Sequence, residues 1–288
     1  MVSFSSFGIG CGRLGSLSND TPLKVVRQAL EDAANRGITT FDTSNIYGQG
    51  DSERILGRLF GARDDIAIVT KAGRTFSKKA LLLPSVKWAL KPLIAVRKSM
   101  NSKRTPLSNG VPALTATNPK PMADALTIMR ARQVSYDFSP DALERSLSAS
   151  LKRLKRKSVA GFLLHDPATS VIEDTGVVAR LTEIKRSGLA DHIGISLNSI
   201  EDIEAVARIS AYDLIQAPVS LIEQVKDSSA YREIVARGTL VHVRQALRRE
   251  GADIVFDIKA AIADALSLPG VKTVLVGVSK PDHLKPLI

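Results

Sequence analysis

Apolar and polar positions along this chain follow two alternating periods. Short runs of Ile, Val, Leu, Phe and Ala recur, and each is followed by a stretch whose apolar residues stand three and four apart. The runs Phe7–Cys11, Ile38–Asp42, Ile66–Thr70, Val159–Leu164, His192–Ser196, Asp213–Ala217, Leu240–Val243 and Val271–Val276 read as strands. The intervening stretches Thr21–Arg36, Asp51–Phe60, Pro140–Lys155, Val171–Ser187, Ser199–Ile209, Asp227–Arg237 and Ile254–Leu268 read as helices. In the first of these, Val25, Val26, Ala29, Leu30 and Ala33 make the apolar face, and Gly37 ends it. Strands that alternate with helices imply a parallel sheet. Eight such units predict an α/β fold, a (β/α)8 TIM barrel built as a single domain. An open doubly wound sheet is the structural alternative.

The alternation breaks once. Residues 74–135 carry prolines at 84, 92, 106, 112, 119 and 121, and 101–121 is rich in Ser, Thr, Asn and Pro. This is a long insertion after the third strand, within a barrel that covers 1–288. An irregular stretch of that length is either functional or a solvated loop. As a lid it would reach over the strand tips, and Trp88 would touch substrate. The insertion also relocates the charge. The net charge is +11, but 74–135 holds 12 Lys/Arg against one acid, Asp124. The other 226 residues hold 28 basic and 28 acidic side chains. The basicity is therefore local, and no nucleic-acid partner is expected from it. It would favour an acidic or phosphorylated substrate.

One cysteine, Cys11, excludes an intramolecular disulfide, and four histidines form no metal-ligand spacing. The first residues, MVSFSSFGIG, lack the basic and long apolar parts of a signal peptide, and no uncharged run is long enough to span a bilayer. A cytoplasmic protein is expected. Gly10–Gly15 matches G-x-G-x-x-G. In a dinucleotide fold a helix would start inside that motif, whereas here Ser16, Ser18, Asn19 and Asp20 intervene. A tight turn at a strand tip is the simpler reading.

The polar residues gather where strands end. Asp42, Lys71, His165, Ser196, Gln216 and Arg244 follow strands two to seven, and Ser279 with Lys280 follows strand eight. In a parallel barrel these tips share one face. Tyr47 lies in the loop after Asp42. Each residue alone could be an ordinary loop or surface group. Together they make a chemistry. A phenol beside an ammonium has its pKa lowered from about 10 and can protonate a carbonyl oxygen. Asp42 would hold Lys71 charged. His165 would donate a hydrogen bond to the carbonyl and orient it.

The segments FDTSNIYGQGDSERILG, IVTK, FLLHDP, HIGIS, LIQAP and VLVGVSKPDHL occur in this order. Through them the chain resembles the aldo-keto reductases. That resemblance implies a barrel binding NADPH, with NADH as the alternative, and passing hydride to a small aldehyde or ketone. It implies Tyr47 as general acid, assisted by Lys71, Asp42 and His165. It places Ser196 and Gln216 against the nicotinamide carboxamide, Asn198 among the other cofactor contacts, and Cys11 and Gly12 along the first-strand edge. Arg244, Gly277, Ser279 and Lys280 complete the cofactor contacts, the last two at the adenosine 2′-phosphate. The chain departs from the family pattern at Leu197, where an Asn is usual, at Arg244–Arg249, and in the insertion. Two rival readings follow: a Schiff-base aldolase using Lys71, and a cofactor-sensing or partner-binding subunit with little turnover.

Overall fold

The computed structural model describes residues 2–15, 21–76, 134–247 and 257–278. The chain divides into two units, residues 1–74 with 136–288, and residues 75–135. The first unit contains a closed barrel. Its strands are β1 (Phe7–Gly10), β2 (Thr40–Asp42), β3 (Ala67–Ala72), β6 (Val159–His165), β7 (Ala190–Ser196), β8 (Leu214–Pro218), β9 (Leu240–Arg244) and β10 (Val271–Gly277). They close in the order β1-β10-β9-β8-β7-β6-β3-β2, and every pair is parallel. The open doubly wound alternative is thereby excluded. Strands β3 and β6 are buried along their whole length. That burial is why β6 reads as an unbroken apolar run up to His165 rather than an alternating one.

The described helices are α1 (Leu23–Asn35), α2 (Asp51–Phe60), α3 (Pro140–Leu154), α4 (Thr169–Ile172), α5 (Thr175–Arg186), α6 (Ile200–Ala207), α7 (Val219–Val225), α8 (Ser229–Ala236) and α9 (Ile258–Ser267). Their starts are chemically marked. Asp174 accepts from Val177 N, and Ser199 with Asp202 forms a capping box. The Asp174 cap splits the helix expected at Val171–Ser187 into α4 and α5. The sequence reading also missed α7, which follows Pro218 directly. Its seven residues are too few to show a helical period. A third omission is the two-stranded sheet of β4 (Arg74–Phe76) and β5 (Val134–Tyr136), at the edges of the stretch taken as irregular. Most of that stretch, 77–133, lies outside the described residues, and so do 248–256 and 279–288.

Two contacts set the active face. Glu53 on α2 is fully buried, where it accepts from Thr70 Oγ1 on β3 at 2.6 Å and from Arg153 Nε on α3 at 2.6 Å. Gly57 lets α2 and α3 approach, since a Cβ there would sit 2.3 Å from Arg153 O. Helix α2 is thus fixed to the strand that carries Lys71. The G-x-G-x-x-G turn has a related role. Gly15 and Gly48 both take positive φ, and a Cβ on Gly48 would lie 2.8 Å from Leu14 O. The glycines seat the first turn against the loop after β2. No helix among the described residues is long and apolar enough to cross a membrane.

Inside the barrel, Phe4, Ala67, Val69, Leu163 and Leu214 pack together. His242 joins them, its ring edge-on to Phe4 at 4.6 Å. It is completely buried, and neither ring nitrogen has a hydrogen-bond partner. Burial, reinforced by the charges of His192, Lys71 and Lys272, pushes its pKa down to about 3. The folded value is depressed, so the neutral ring's contribution is present above about pH 6.5 and is lost as pH falls toward 3. Urea unfolding at pH 7, 6 and 5 checks this. The wild type should lose stability over that range. His242→Leu should lose about 1 kcal/mol less per pH unit below 6.5. Parallel pH curves for the two proteins would show that His242 does not govern acid sensitivity.

Candidate functional site

The site begins at the C-terminal ends of β2 and β3. These strands pair with Asp42 beside Val69, which turns Asp42 and Lys71 toward the same interior space. Lys71 has no exposed surface, and Asp42 keeps only 5% of its own. Lys71 Nζ donates to Asp42 Oδ1 at 2.5 Å and to Thr43 O at 3.0 Å. Gln216, from the middle of β8, donates its Nε2 to the same Asp42 oxygen at 2.8 Å. Burial alone would strip the proton from Lys71. The Asp42 carboxylate, with a smaller contribution from Tyr47, outweighs burial and raises the lysine pKa. The ammonium is therefore charged.

The loop after β2 is held by its own polar residues. Thr43 N donates to Val69 O at 2.8 Å, and the Thr43 and Ser52 hydroxyls lie 2.7 Å apart. Ser52 also donates to Cys11 O at 3.2 Å. The 3-10 turn Tyr47–Gly50, absent from the sequence reading, then delivers the chain to α2. It leaves the Tyr47 ring 5.3 Å from Lys71 Nζ and 5.7 Å from the His165 ring, the two rings at 89°. The expected lowering of the Tyr47 pKa is not what the structure gives. Burial raises it by more than the Lys71 charge lowers it, and Asp42 and Asp166 add to the rise. The phenol keeps its proton.

His165 ends β6, 5% exposed, with Ser44 Oγ 3.0 Å from its Nδ1. Burial first, then Lys71, Arg74 and Arg244, push its pKa down to about 2. The imidazole is neutral. A Ser44 hydroxyl donating to Nδ1 leaves the ring proton on Nε2.

These groups border one cleft of about 500 Å³. Of the residues anticipated from sequence, Asp42, Tyr47, His165, Gly12, Ser196, Asn198, Gln216 and Arg244 line it, and Lys71 reaches it through Asp42. Cys11 does not line it. Its thiol lies in the main core cluster, turned toward Ile9 O, and burial pushes its pKa far up. Gly277 ends β10 with open space where a side chain would begin. Trp88, Ser279 and Lys280 lie outside the described residues. Ile46, Gly48, Arg74, Asp166 and Gln245 also line the cleft and were not anticipated. Asp166 was legible, since it directly follows His165. Arg74 was hidden among the insertion's many basic residues. No group of three or more His, Cys, Asp or Glu among the described residues could hold a metal.

Comparison with known proteins matches residues 6–239 to the model of the aldo/keto reductase family. The aldo-keto reductase YhdN of Bacillus subtilis is 24% identical over 232 residues, covering 79% of this chain and 52% of that protein. The NADH-specific methylglyoxal reductase of Escherichia coli is 21% identical over 257 residues, 86% of this chain and 65% of that protein. The chain thus spans between half and two thirds of the length of these relatives. A Klebsiella pneumoniae aldo-keto reductase solved in complex with NADPH shares the fold, with a TM-score of 0.60 at 16% identity. That alignment covers 99% of this chain and 88% of the other.

The buried pair yields a stability prediction. Lys71→Met leaves the Asp42 carboxylate inside the barrel without its cation and should cost about 3–5 kcal/mol in urea unfolding at pH 7. Adding Asp42→Asn should recover most of that loss. Additive losses in the double variant would mean that the two side chains are not coupled.

Proposed function

The chain belongs to the aldo/keto reductase family, and on that premise we propose that it reduces an aldehyde or ketone to an alcohol with NADPH. The observation that carries the reading is the meeting of Tyr47, the Lys71–Asp42 pair and neutral His165 on one cleft. The cleft residues fit the nicotinamide end of such a cofactor. Ser196, Asn198 and Gln216 offer a hydroxyl and two amides to a carboxamide, and Gly277 leaves room at the tip of β10. Ser279 and Lys280 would serve the phosphate end, where a lysine favours the 2′-phosphate on charge grounds. The E. coli relative is NADH-specific and the Klebsiella structure holds NADPH, so both cofactors belong in any assay.

When bound, the nicotinamide supplies hydride to the carbonyl carbon. The chain's own residues handle the oxygen. His165 Nε2–H donates to the carbonyl oxygen and fixes its direction. The Tyr47 hydroxyl gives up its proton as negative charge grows on that oxygen. A raised Tyr47 pKa keeps the acid loaded at neutral pH. Lys71 favours the phenolate as it forms, and Asp42 with Gln216 holds Lys71 in place.

The same geometry weighs against Lys71 as a Schiff-base lysine. That role needs a neutral, accessible amine, whereas this ammonium is charged, paired and fully buried. The binding-subunit reading makes a different prediction for Tyr47. Oxidation of NADPH and NADH, followed with a panel of aldehydes and ketones, separates the two. Wild type should turn over at least one carbonyl. Tyr47→Phe should lower kcat by about 10²–10⁴-fold while still binding NADPH. Full activity in Tyr47→Phe would remove Tyr47 as the acid, and binding without any turnover would favour the binding subunit.

A further inference from the structure

We infer that the carbonyl substrate carries a carboxylate, and that Arg74 receives it. This inference rests on the reductase reading and names its substrate class. Arg74 follows β3 by two residues and borders the cleft. Its position is fixed from three sides. Asn45 Nδ2 donates to Arg74 O at 3.0 Å. The guanidinium lies 5.7 Å from the centre of the Tyr136 ring. Its Nη1 donates to Asp166 Oδ2 at 2.9 Å. The side chain nevertheless keeps 28% of its surface exposed where it borders the cleft, while its buried Nε makes no hydrogen bond.

Asp166 joins Arg74 to the reacting centre. Its Oδ2 also lies 3.9 Å from His165 Nε2, the nitrogen that faces the carbonyl in the proposed reaction. The guanidinium and the imidazole therefore share one neighbour. A short carbon chain suffices to link a carbonyl at His165 to an anionic group at Arg74. The other Asp166 oxygen accepts from Asn198 Nδ2 at 2.9 Å, and Asn198 Oδ1 in turn accepts from Arg244. The result is an arc of alternating charge along one wall.

The charges on that wall do not cancel. Lys71 and Asp42 neutralise each other below the cleft. Above them one carboxylate, Asp166, stands between two guanidiniums, Arg74 and Arg244. Among the described residues of that wall one positive charge is left over, at a cleft of about 500 Å³. A substrate with one carboxylate neutralises the excess, and a planar carboxylate matches an arginine fork. Because Arg74 is already held, little order is lost on binding. The fitting class is a short oxo acid or an aldehyde that bears a carboxylate.

Matched pairs test this. Succinic semialdehyde is compared with butanal, and para-formylbenzoate with its methyl ester, by NADPH oxidation. In wild type each acid should exceed its neutral partner in kcat/KM by about tenfold or more, carried by KM. Arg74→Gln should bring the ratio near unity by raising KM for the acids. Arg74→Lys, which keeps the charge, should retain part of the preference. Calorimetric titration with benzoate and benzamide reads Arg74 apart from turnover. Wild type should bind benzoate the more tightly, and Arg74→Gln should lose that difference. Turnover of neutral carbonyls with no acid preference, or a preference that survives Arg74→Gln, overturns the inference and leaves the reductase reading standing. With no turnover of any carbonyl the reductase reading fails, and the inference with it. The titration then still decides whether Arg74 binds a carboxylate.

Discussion

Lys71 lies wholly inside the barrel, and an ammonium can be kept charged there only beside a carboxylate. Asp42 supplies it at 2.5 Å, with Thr43 O and Gln216 taking up further hydrogen-bonding capacity. Such a pair is costly to desolvate and adds little to stability by itself. Its effect is positional. Asp42 must end β2 where β3 presents Lys71, and the strand register sets that. Helix α2 must hold the loop between them, and buried Glu53 sets that through Thr70 and Arg153. The packing on this side of the barrel thus converges on keeping one ion pair intact.

The pair determines the electrostatics above it. Burial raises the Tyr47 pKa by more than Lys71 lowers it, Asp42 adds to the rise, and the phenol stays protonated. His165 is held neutral chiefly by its burial, with Lys71, Arg74 and Arg244 adding to the effect. The phenol is thus left protonated and the imidazole neutral. Both states follow from burial and charge placement.

Legibility from sequence varied with how local the cause was. The strand ends were readable because Asp42, Lys71, His165, Ser196, Gln216 and Arg244 each break an apolar run, and a parallel barrel puts such breaks on one face. Helix α7 and the 3-10 turn at Tyr47–Gly50 were not, being too short to show a period. The direction of the Tyr47 shift was misjudged. A lysine and a tyrosine near each other suggest a lowered pKa, but the net sign depends on how deeply both are buried and on the acids beside them. Cys11 was placed at the cleft by its position after β1, while its side chain turns into the core.

By itself, then, the sequence determined the barrel and the set of polar groups at its mouth. Both depend on local causes, the alternation of apolar periods and the residue type at each strand tip. Only the tertiary structure decided which of these groups touch, which keep their protons, and what else joins them. Arg74 belongs to that second class. In the sequence it is one basic residue among the 12 of 74–135. Only in the folded chain does it stand beside Asp166, near His165, since a charge acts through distance and burial rather than order along the chain.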